Sequence, residues 1–357
     1  MHPAATADDH WMALAIDEAE KGVGRTAPNP PVGAVIIAGD ECLGRGWHRA
    51  AGQPHAEREA IADAIARHGA DSLRRATIYV TLEPCSTHGR TPPCTQGIIE
   101  AGIRRVVYAC RDENPVHQGR ADALLNEAGI EVCSGIGGKA ALRLLRPFFK
   151  VRQTGLPWVI WKSAMSMDGR LTRPHPEGQW LTHAATRLEV QKLRSTVDAI
   201  LTSGETIRRD RPALTIRVPE LAAGRPQPWR VIFSDHPDSL PVDAPLMVDA
   251  QRTRIRPRSG LEDELRALAS ENGVLSAMVE SGGIFAGALF SAGLVDEVVI
   301  HMAPMLCGGC VPALSDPVLP RPVELASPEY TRIPGSPDIC LRALVAKKFE
   351  YPARASV

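Results

Sequence analysis

The sequence predicts an α/β protein built as two layered domains. Three observations carry that expectation. A chain of 357 residues is longer than one hydrophobic core commonly organises and suits two. Strand-like and helix-like segments alternate along it, the pattern of sheets covered by helices. Glycine-rich turns at Ser134–Gly138 and Gly155-Leu156-Pro157 bracket one last helix, after which a fresh alternation begins. The boundary therefore falls between domains of 1–150 and 151–357.

In the first domain, Asp9–Lys21 carries Trp11, Leu14, Ala15 and Ala19 at helical spacing, with Gly22 and Gly24 as stops. Val32–Ala38 is a short apolar strand, and Asp40 lies in the turn after it. His55 opens a helix that runs to about Arg67. Strands are expected at Thr77–Thr81 and Val106–Cys110, and helices at Thr95–Ala101 and Ala121–Ala128. In the second domain, Trp158–Lys162, Ala199–Thr202, Trp229–Ser234, Ala277–Glu280 and Glu297–Ala303 read as strands. Ala184–Arg194 and Gly287–Ala292 read as helices. Asp235–Gly260 is rich in Pro, Asp and Arg and is expected to be an irregular surface excursion. There is no internal repeat and no low-complexity tract.

Bulk composition narrows the function. Basic and acidic residues number 41 each, so no net field draws the chain to nucleic acid or an anionic membrane. Aromatic residues make up 4%, too few to stack a run of bases. No apolar run approaches the roughly 20 residues of a membrane span. Met1–Ala7 lacks the basic start and apolar core of a secretory signal. Eight cysteines in a chain of this length read as reduced thiols rather than a disulfide framework. The expectation is a soluble cytoplasmic protein with a small-molecule substrate and neither a nucleic-acid nor a membrane partner.

The chemistry concentrates in His55-Ala56-Glu57, Pro84-Cys85 and Cys94. One histidine and two cysteines can hold zinc on three sides and leave a fourth position open. Zinc held so lowers the pKa of bound water toward neutrality, and a glutamate two residues from the histidine can move protons beside it. His-x-Glu followed by Pro-Cys-x-x-Cys is the general pattern of zinc deaminases. Here the longer loop Ser86–Pro93 separates the two cysteines. A structural zinc with His88 as fourth ligand, and a chance grouping of core residues, are the alternatives.

Three stretches carry a family resemblance: Thr81-Leu-Glu-Pro-Cys-Ser-Thr-His-Gly-Arg-Thr-Pro-Pro-Cys94, Ala27-Pro-Asn-Pro-Pro-Val-Gly33, and Gly46-Trp47-His48 ahead of Pro54-His55-Ala56-Glu57. They resemble the bifunctional riboflavin-biosynthesis deaminase/reductases. The resemblance implies a cytidine-deaminase-like three-layer first domain with Zn2+ on His55, Cys85 and Cys94, Glu57 as proton carrier, and Asn29 on the pyrimidine edge. The family has a second histidine where this chain has Thr87.

The second half continues the match in the family's order. Lys162-Ser-Ala-Met-Ser-Met-Asp-Gly-Arg170, Glu177-Gly-Gln-Trp180, Lys192-Leu-Arg194, Gly204–Arg217, Val279–Ala288 and Leu294-Val-Asp-Glu297 resemble the reductase domain, which is dihydrofolate-reductase-like. By that resemblance, Ala164, Trp180, Thr206, Asp210 and the segment Gly282, Gly283, Ile284, Phe285, Ala286, Gly287 and Ala288 line an NADPH site. Gly178, Arg194, Leu214, Arg217 and Glu280 face a phosphorylated pyrimidine substrate, and Lys162, Asp210 and Glu280 steer protons. Independently, a glycine pair between a strand and a helix lets backbone amides approach a phosphate, and two arginines suit a phosphate's oxygens. The Gly-x-Gly-x-x-Gly dinucleotide fingerprint is absent. Gly178 replaces a serine of the family and Arg211 an aspartate, so a non-catalytic, phosphosugar-binding second domain beside an active deaminase is the alternative reading. The stretch between Arg217 and Glu280 is short for the family, which bears on the outer sheet. Cys307-Gly-Gly-Cys310 has no second pair and reads as structural. His236 and His301 read as surface or core residues. A homo-oligomer is expected.

Overall fold

The computed structural model describes residues 6–87, 92–113, 119–174, 180–248, 250–309, 311–315, 319 and 322–346. They fall into two compact units, one ending at Thr154 and the other starting at Gly155.

The first unit runs α1 (Ala7–Glu20), β1 (Gly33–Ala38), β2 (Glu41–Trp47), α2 (Ala56–His68), β3 (Thr77–Leu82), α3 (Cys94–Glu100), β4 (Arg105–Cys110), α4 (Arg120–Glu127), β5 (Glu131–Ser134) and α5 (Gly138–Thr154). Its sheet has the order β2-β1-β3-β4-β5, antiparallel at the first two junctions and parallel at the last two. Strand alternation sends Ile36, Ile78, Val80 and Val106 to one face, where Ala56, Ala60 and Ala64 of α2 and Ile98 of α3 cover them. Val35, Tyr79 and Val107 point to the other face, under Met12 and Ala15 of α1 and Ala141 of α5. Helices on both faces make the three layers expected.

Helix α1 begins at a capping box. The Thr6 hydroxyl accepts from the Asp9 N–H at 3.2 Å, and the Asp9 carboxylate accepts from the Thr6 N–H at 2.9 Å. Strand β2 is an element that residue pattern alone does not reveal. Gly44 and Gly46 argue against a strand by propensity, yet they are there because α2 lies directly on them. A Cβ at Gly46 would stand 2.4 Å from the Ala56 carbonyl oxygen, and one at Gly44 would stand 2.4 Å from that of Ala60.

The second unit runs β6 (Trp158–Ser166), α6 (Ala184–Arg194), β7 (Ala199–Ser203), α7 (Gly204–Asp210), α8 (Pro219–Ala222), β8 (Trp229–Phe233), α9 (Pro245–Val248), β9 (Thr253–Arg256), α10 (Leu261–Asn272), β10 (Ser276–Val279), α11 (Gly283–Ser291), β11 (Glu297–Ala303), β12 (Leu325–Arg332) and β13 (Ile339–Val345). The sheet order is β12-β13-β11-β6-β10-β7-β8-β9. The strands from β11 to β9 are parallel, and the β12–β13 hairpin is antiparallel. Val159, Trp161, Leu201, Val231 and Val279 face α10 and α11 in the main core. The opposite face carries Lys162 and Glu280 and meets Arg194 of α6.

Asp235–Gly260 corrects the sequence expectation. It is not wholly irregular, because β9 completes the sheet edge within it and α9 precedes that strand. Its arginines are the reason the strand is hard to read. Arg254 and Arg256 both clamp the buried Glu264 of α10, at 3.1 and 2.7 Å. The charge that marks the segment as surface is what fastens it to the core. In the short stretch after Arg217, β8 and β9 still form the end of the sheet beyond β7.

Candidate active sites

In the first unit, three elements deliver the zinc-type donors. His55 is the N-cap residue of α2, and its side chain makes no capping bond, which leaves the imidazole for other partners. Cys85 follows the end of β3, and Cys94 is the first residue of α3. His55 Nδ1 lies 3.5 Å from Cys85 Sγ and 3.3 Å from Cys94 Sγ, and the three donor atoms all lie within 4.8 Å of one another. Zinc–sulfur and zinc–nitrogen bonds at a tetrahedral angle imply a nitrogen–sulfur edge of about 3.6 Å. The donor set fits that metal. His88 lies outside the described residues, so a fourth ligand there is not placed.

The cysteines are also joined locally. The Cys94 N–H donates to Cys85 Sγ at 3.3 Å, and the Thr95 N–H and hydroxyl both donate to the Cys85 carbonyl. The adjoining Cys94 thiol and the His55 ring hold the Cys85 thiol down to about 4, while Cys85 and burial push Cys94 up. Glu57 is buried in the first turn of α2, and burial raises its carboxyl above the ordinary range.

Asn29 reaches this neighbourhood through a chain of polar contacts. Its Nδ2 lies 3.0 Å from His48 Nε2, and His48 Nδ1 lies 3.0 Å from the Pro54 carbonyl oxygen. A carbonyl only accepts, so Nδ1 carries the proton and Nε2 accepts from the Asn29 amide. Burial lowers the His48 pKa and keeps the ring neutral, as that tautomer requires. The Asn29 oxygen is therefore left to accept from a ligand. The family resemblance named Asn29 but gave His48 no role; its one signal was the position ahead of Pro54-His55.

In the second unit, Glu280 follows the end of β10 and holds Arg194 by two bonds, at 2.6 and 3.0 Å. Lys162 of β6 stands 4.0 Å from the same carboxylate. Burial pushes the Lys162 ammonium down in pKa, while the Glu280 carboxylate is held low by Arg194 and Lys162 against its own burial. Two strand ends read Ser-Gly, at Ser203-Gly204 and Ser281-Gly282, and both serines escaped the sequence reading. Their hydroxyls lie 2.9 Å apart, and Thr206 Oγ1 stands 3.0 Å from one and 3.1 Å from the other. These hydroxyls sit at the carboxyl ends of adjacent parallel strands, the usual ligand side of such a sheet. Helix α11 begins there with no acidic residue in its first turn. This donor set suits a phosphorylated dinucleotide.

Several expected residues behave differently from the sequence reading. The Gly283 amide already donates to the Ala313 carbonyl at 2.9 Å, so it is not open to a phosphate. Gly282 is required by Leu171, whose Cδ1 a Cβ would meet at 2.3 Å. Phe285 stacks on Phe233 in the core, and Ala286 and Gly287 are buried beside it; Ile284 is exposed. The two arginines do not act as a phosphate pair: Arg194 is buried and committed to Glu280, whereas Arg217 is exposed. Leu214 is buried with φ of 49°. Ala164 is half-buried on β6, and Trp180 is exposed with Arg187 over its ring. Asp210 ends α7 in solvent, and no hydrogen bond or ion pair joins it to Lys162 or Glu280 among the described residues. Arg211 pairs with Asp243 at the surface. His236 is exposed and His301 buried. Cys307 donates its N–H to Asp168, a structural contact; Gly178 and Cys310 lie outside the described residues.

Comparison with known proteins fits both halves. Residues 5–110 match the cytidine and deoxycytidylate deaminase zinc-binding region, and residues 157–333 match the RibD C-terminal domain. The riboflavin biosynthesis protein RibD of Escherichia coli K12 is 37% identical over 95% of this chain and 100% of its own. The chain belongs to the RibD family. Acinetobacter baumannii RibD has a similar structure, with a TM-score of 0.82 and 32% identity over 95% of this chain and 99% of that one. A Thermotoga maritima RibD-type structure, titled diaminohydroxyphosphoribosylaminopyrimidine deaminase/5-amino-6-(5-phosphoribosylamino)uracil reductase, has a TM-score of 0.80 and 30% identity over 95% and 99%. As a RibD-family member, the chain is a bifunctional enzyme of riboflavin biosynthesis, with a zinc-dependent deaminase and an NADPH-dependent reductase activity. No helix among the described residues is long and apolar enough to cross a membrane.

Proposed function

We propose that residues 1–150 deaminate 2,5-diamino-6-ribosylamino-4(3H)-pyrimidinone 5′-phosphate and that residues 151–357 then reduce its ribosyl chain to ribityl. The observation that carries the first step is the convergence of His55, Cys85 and Cys94 beside the buried Glu57. Zinc, when bound there, supplies the Lewis acidity that activates water. Asn29, oriented by His48, offers its amide oxygen to a donor on the pyrimidine edge. Glu57, its carboxyl raised by burial, takes a proton from the attacking water and gives it to the departing amine.

In the second unit, NADPH supplies the hydride when bound. The Thr206 hydroxyl, Trp180, Ala164 of β6 and residues at the start of α11 would hold it. Arg217 is the exposed guanidinium suited to the substrate phosphate, and Leu214 and Gly178 complete the proposed substrate contacts. Glu280 fixes Arg194 and Lys162, so the Lys162 ammonium is aimed and ready to donate to the sugar oxygen as its C1′ is reduced. Asp210 is assigned to the rim of the cofactor site. The reading extends to a cytoplasmic homo-oligomer, which light scattering on the purified chain tests.

Ammonia release and NADPH loss, measured separately on the purified zinc-loaded chain, test the whole proposal. Both signals are expected, the second dependent on the first product. Ammonia without any NADPH loss would leave only the deaminase.

A further inference from the structure

The zinc-type donors come from two groups of elements that are joined unequally. Cys85 and Cys94 are tied to each other by the Cys94 and Thr95 N–H groups and the Thr95 hydroxyl. His55 arrives separately, on α2. Among the described residues, the hydrogen bonds from α2 to the backbone of the Cys94 turn come from one side chain. Arg58 Nη2 lies 3.1 Å from the Pro93 carbonyl oxygen and 3.5 Å from that of Pro92.

We infer that Arg58 is a positioning residue of the metal site, which locks the cysteine pair to the histidine by gripping the carbonyls just before Cys94. It rests on the reading of this site as a zinc centre. The geometry favours the role in three ways. Arg58 stands three residues after His55, so one turn of α2 carries both the ligand and the grip. Pro92 and Pro93 have no N–H groups, so their turn cannot be fixed from the donor side and is held through its carbonyls. Gly97 of α3 makes room: a Cβ there would stand 3.2 Å from the Arg58 guanidinium carbon and 3.4 Å from its terminal nitrogens.

Gly97 separates positioning from plain structural support. Alanine is the better helix former, so Gly97→Ala favours α3 while pressing the guanidinium off the carbonyls. Groups that orient metal ligands typically alter metal affinity about 10–100-fold when removed.

The test is zinc affinity, by competition with a chromophoric chelator, on the full chain, with thermal melting of the metal-stripped forms alongside. Arg58→Ala is expected to weaken zinc about tenfold or more, and Arg58→Lys to recover part of the loss. Gly97→Ala is expected to weaken zinc while leaving the stripped melting temperature equal or higher. Zinc affinities of Arg58→Ala and Gly97→Ala within about twofold of the wild type would overturn the inference. A wild-type chain that takes up no zinc would overturn the zinc reading itself, and that failure appears in the wild-type arm alone.

Discussion

The two sites solve opposite electrostatic problems. At the first, donors of like kind converge: two thiols and an imidazole crowd within 4.8 Å, and a buried carboxyl stands beside them. At the second, opposite charges have already paired, with Glu280 gripping Arg194 and facing Lys162. The first arrangement is built to attract a cation. The second sets two cations on one carboxylate, so its groups are engaged first in holding one another's direction. The difference teaches where each site is fragile. The first fails chemically when one group changes, whereas the second fails structurally, because every partner is also a fastening.

The sharpest way to break that contrast is Glu57→Gln. Deamination should fall by about 10²–10⁴-fold, with zinc still bound and the reductase step unchanged on supplied intermediate. Ammonia release near the wild-type rate would show that the buried carboxyl moves no proton. Glu280→Gln should act differently, since it strands two buried cations. Losing one partner of such a set costs about 3–5 kcal/mol, read by urea unfolding, along with NADPH turnover. A variant that loses turnover but keeps full stability would make the second site resemble the first.

Acid should reveal the same fragility at a neighbouring position. Burial first, and the Lys162 ammonium second, push His301 down to about 4 from an ordinary 6.5. Its Nδ1 also meets no partner among the described residues. The unfolded chain binds the proton more readily, so the stabilising margin is whole above pH 6.5 and shrinks as pH falls toward 4. Between pH 7 and 5 the loss should be about 2 kcal/mol, and His301→Gln should flatten it. The smallest effect belongs to Arg211→Ala. Its partner Asp243 lies at the surface, so stability should move by less than about 1 kcal/mol and the KM for NADPH should hold. A raised KM would draw Arg211 into the cofactor site.

Legibility followed sequence distance. His55, Glu57, Cys85 and Cys94 lie within one short stretch and at element ends, so their spacing exposed both the chemistry and the strand–helix frame. Lys162, Arg194 and Glu280 are far apart in sequence and meet only where α6 packs on the sheet, and resemblance rather than spacing named them. What stayed hidden were contacts that composition disguises. Arg254 and Arg256 mark a surface segment until Glu264 is seen beneath them. Ser203 and Ser281 look like ordinary turn residues until β7 and β10 lie side by side. Phe285 and Gly283 fell in the expected cofactor segment, but one packs the core and the other bonds Ala313.

The bare seam between β2 and α2 has a consequence for how this enzyme tolerates change. Where Gly44 and Gly46 meet Ala56 and Ala60, no rotamer exists to absorb an added methyl, so the helix itself must move. That helix carries the histidine and the glutamate of the first site. In a library screened for ammonia release, these two glycines would score as if they belonged to the active centre, though neither touches it. Gene variants altering them would look harmless by chemical role and prove inactive by geometry.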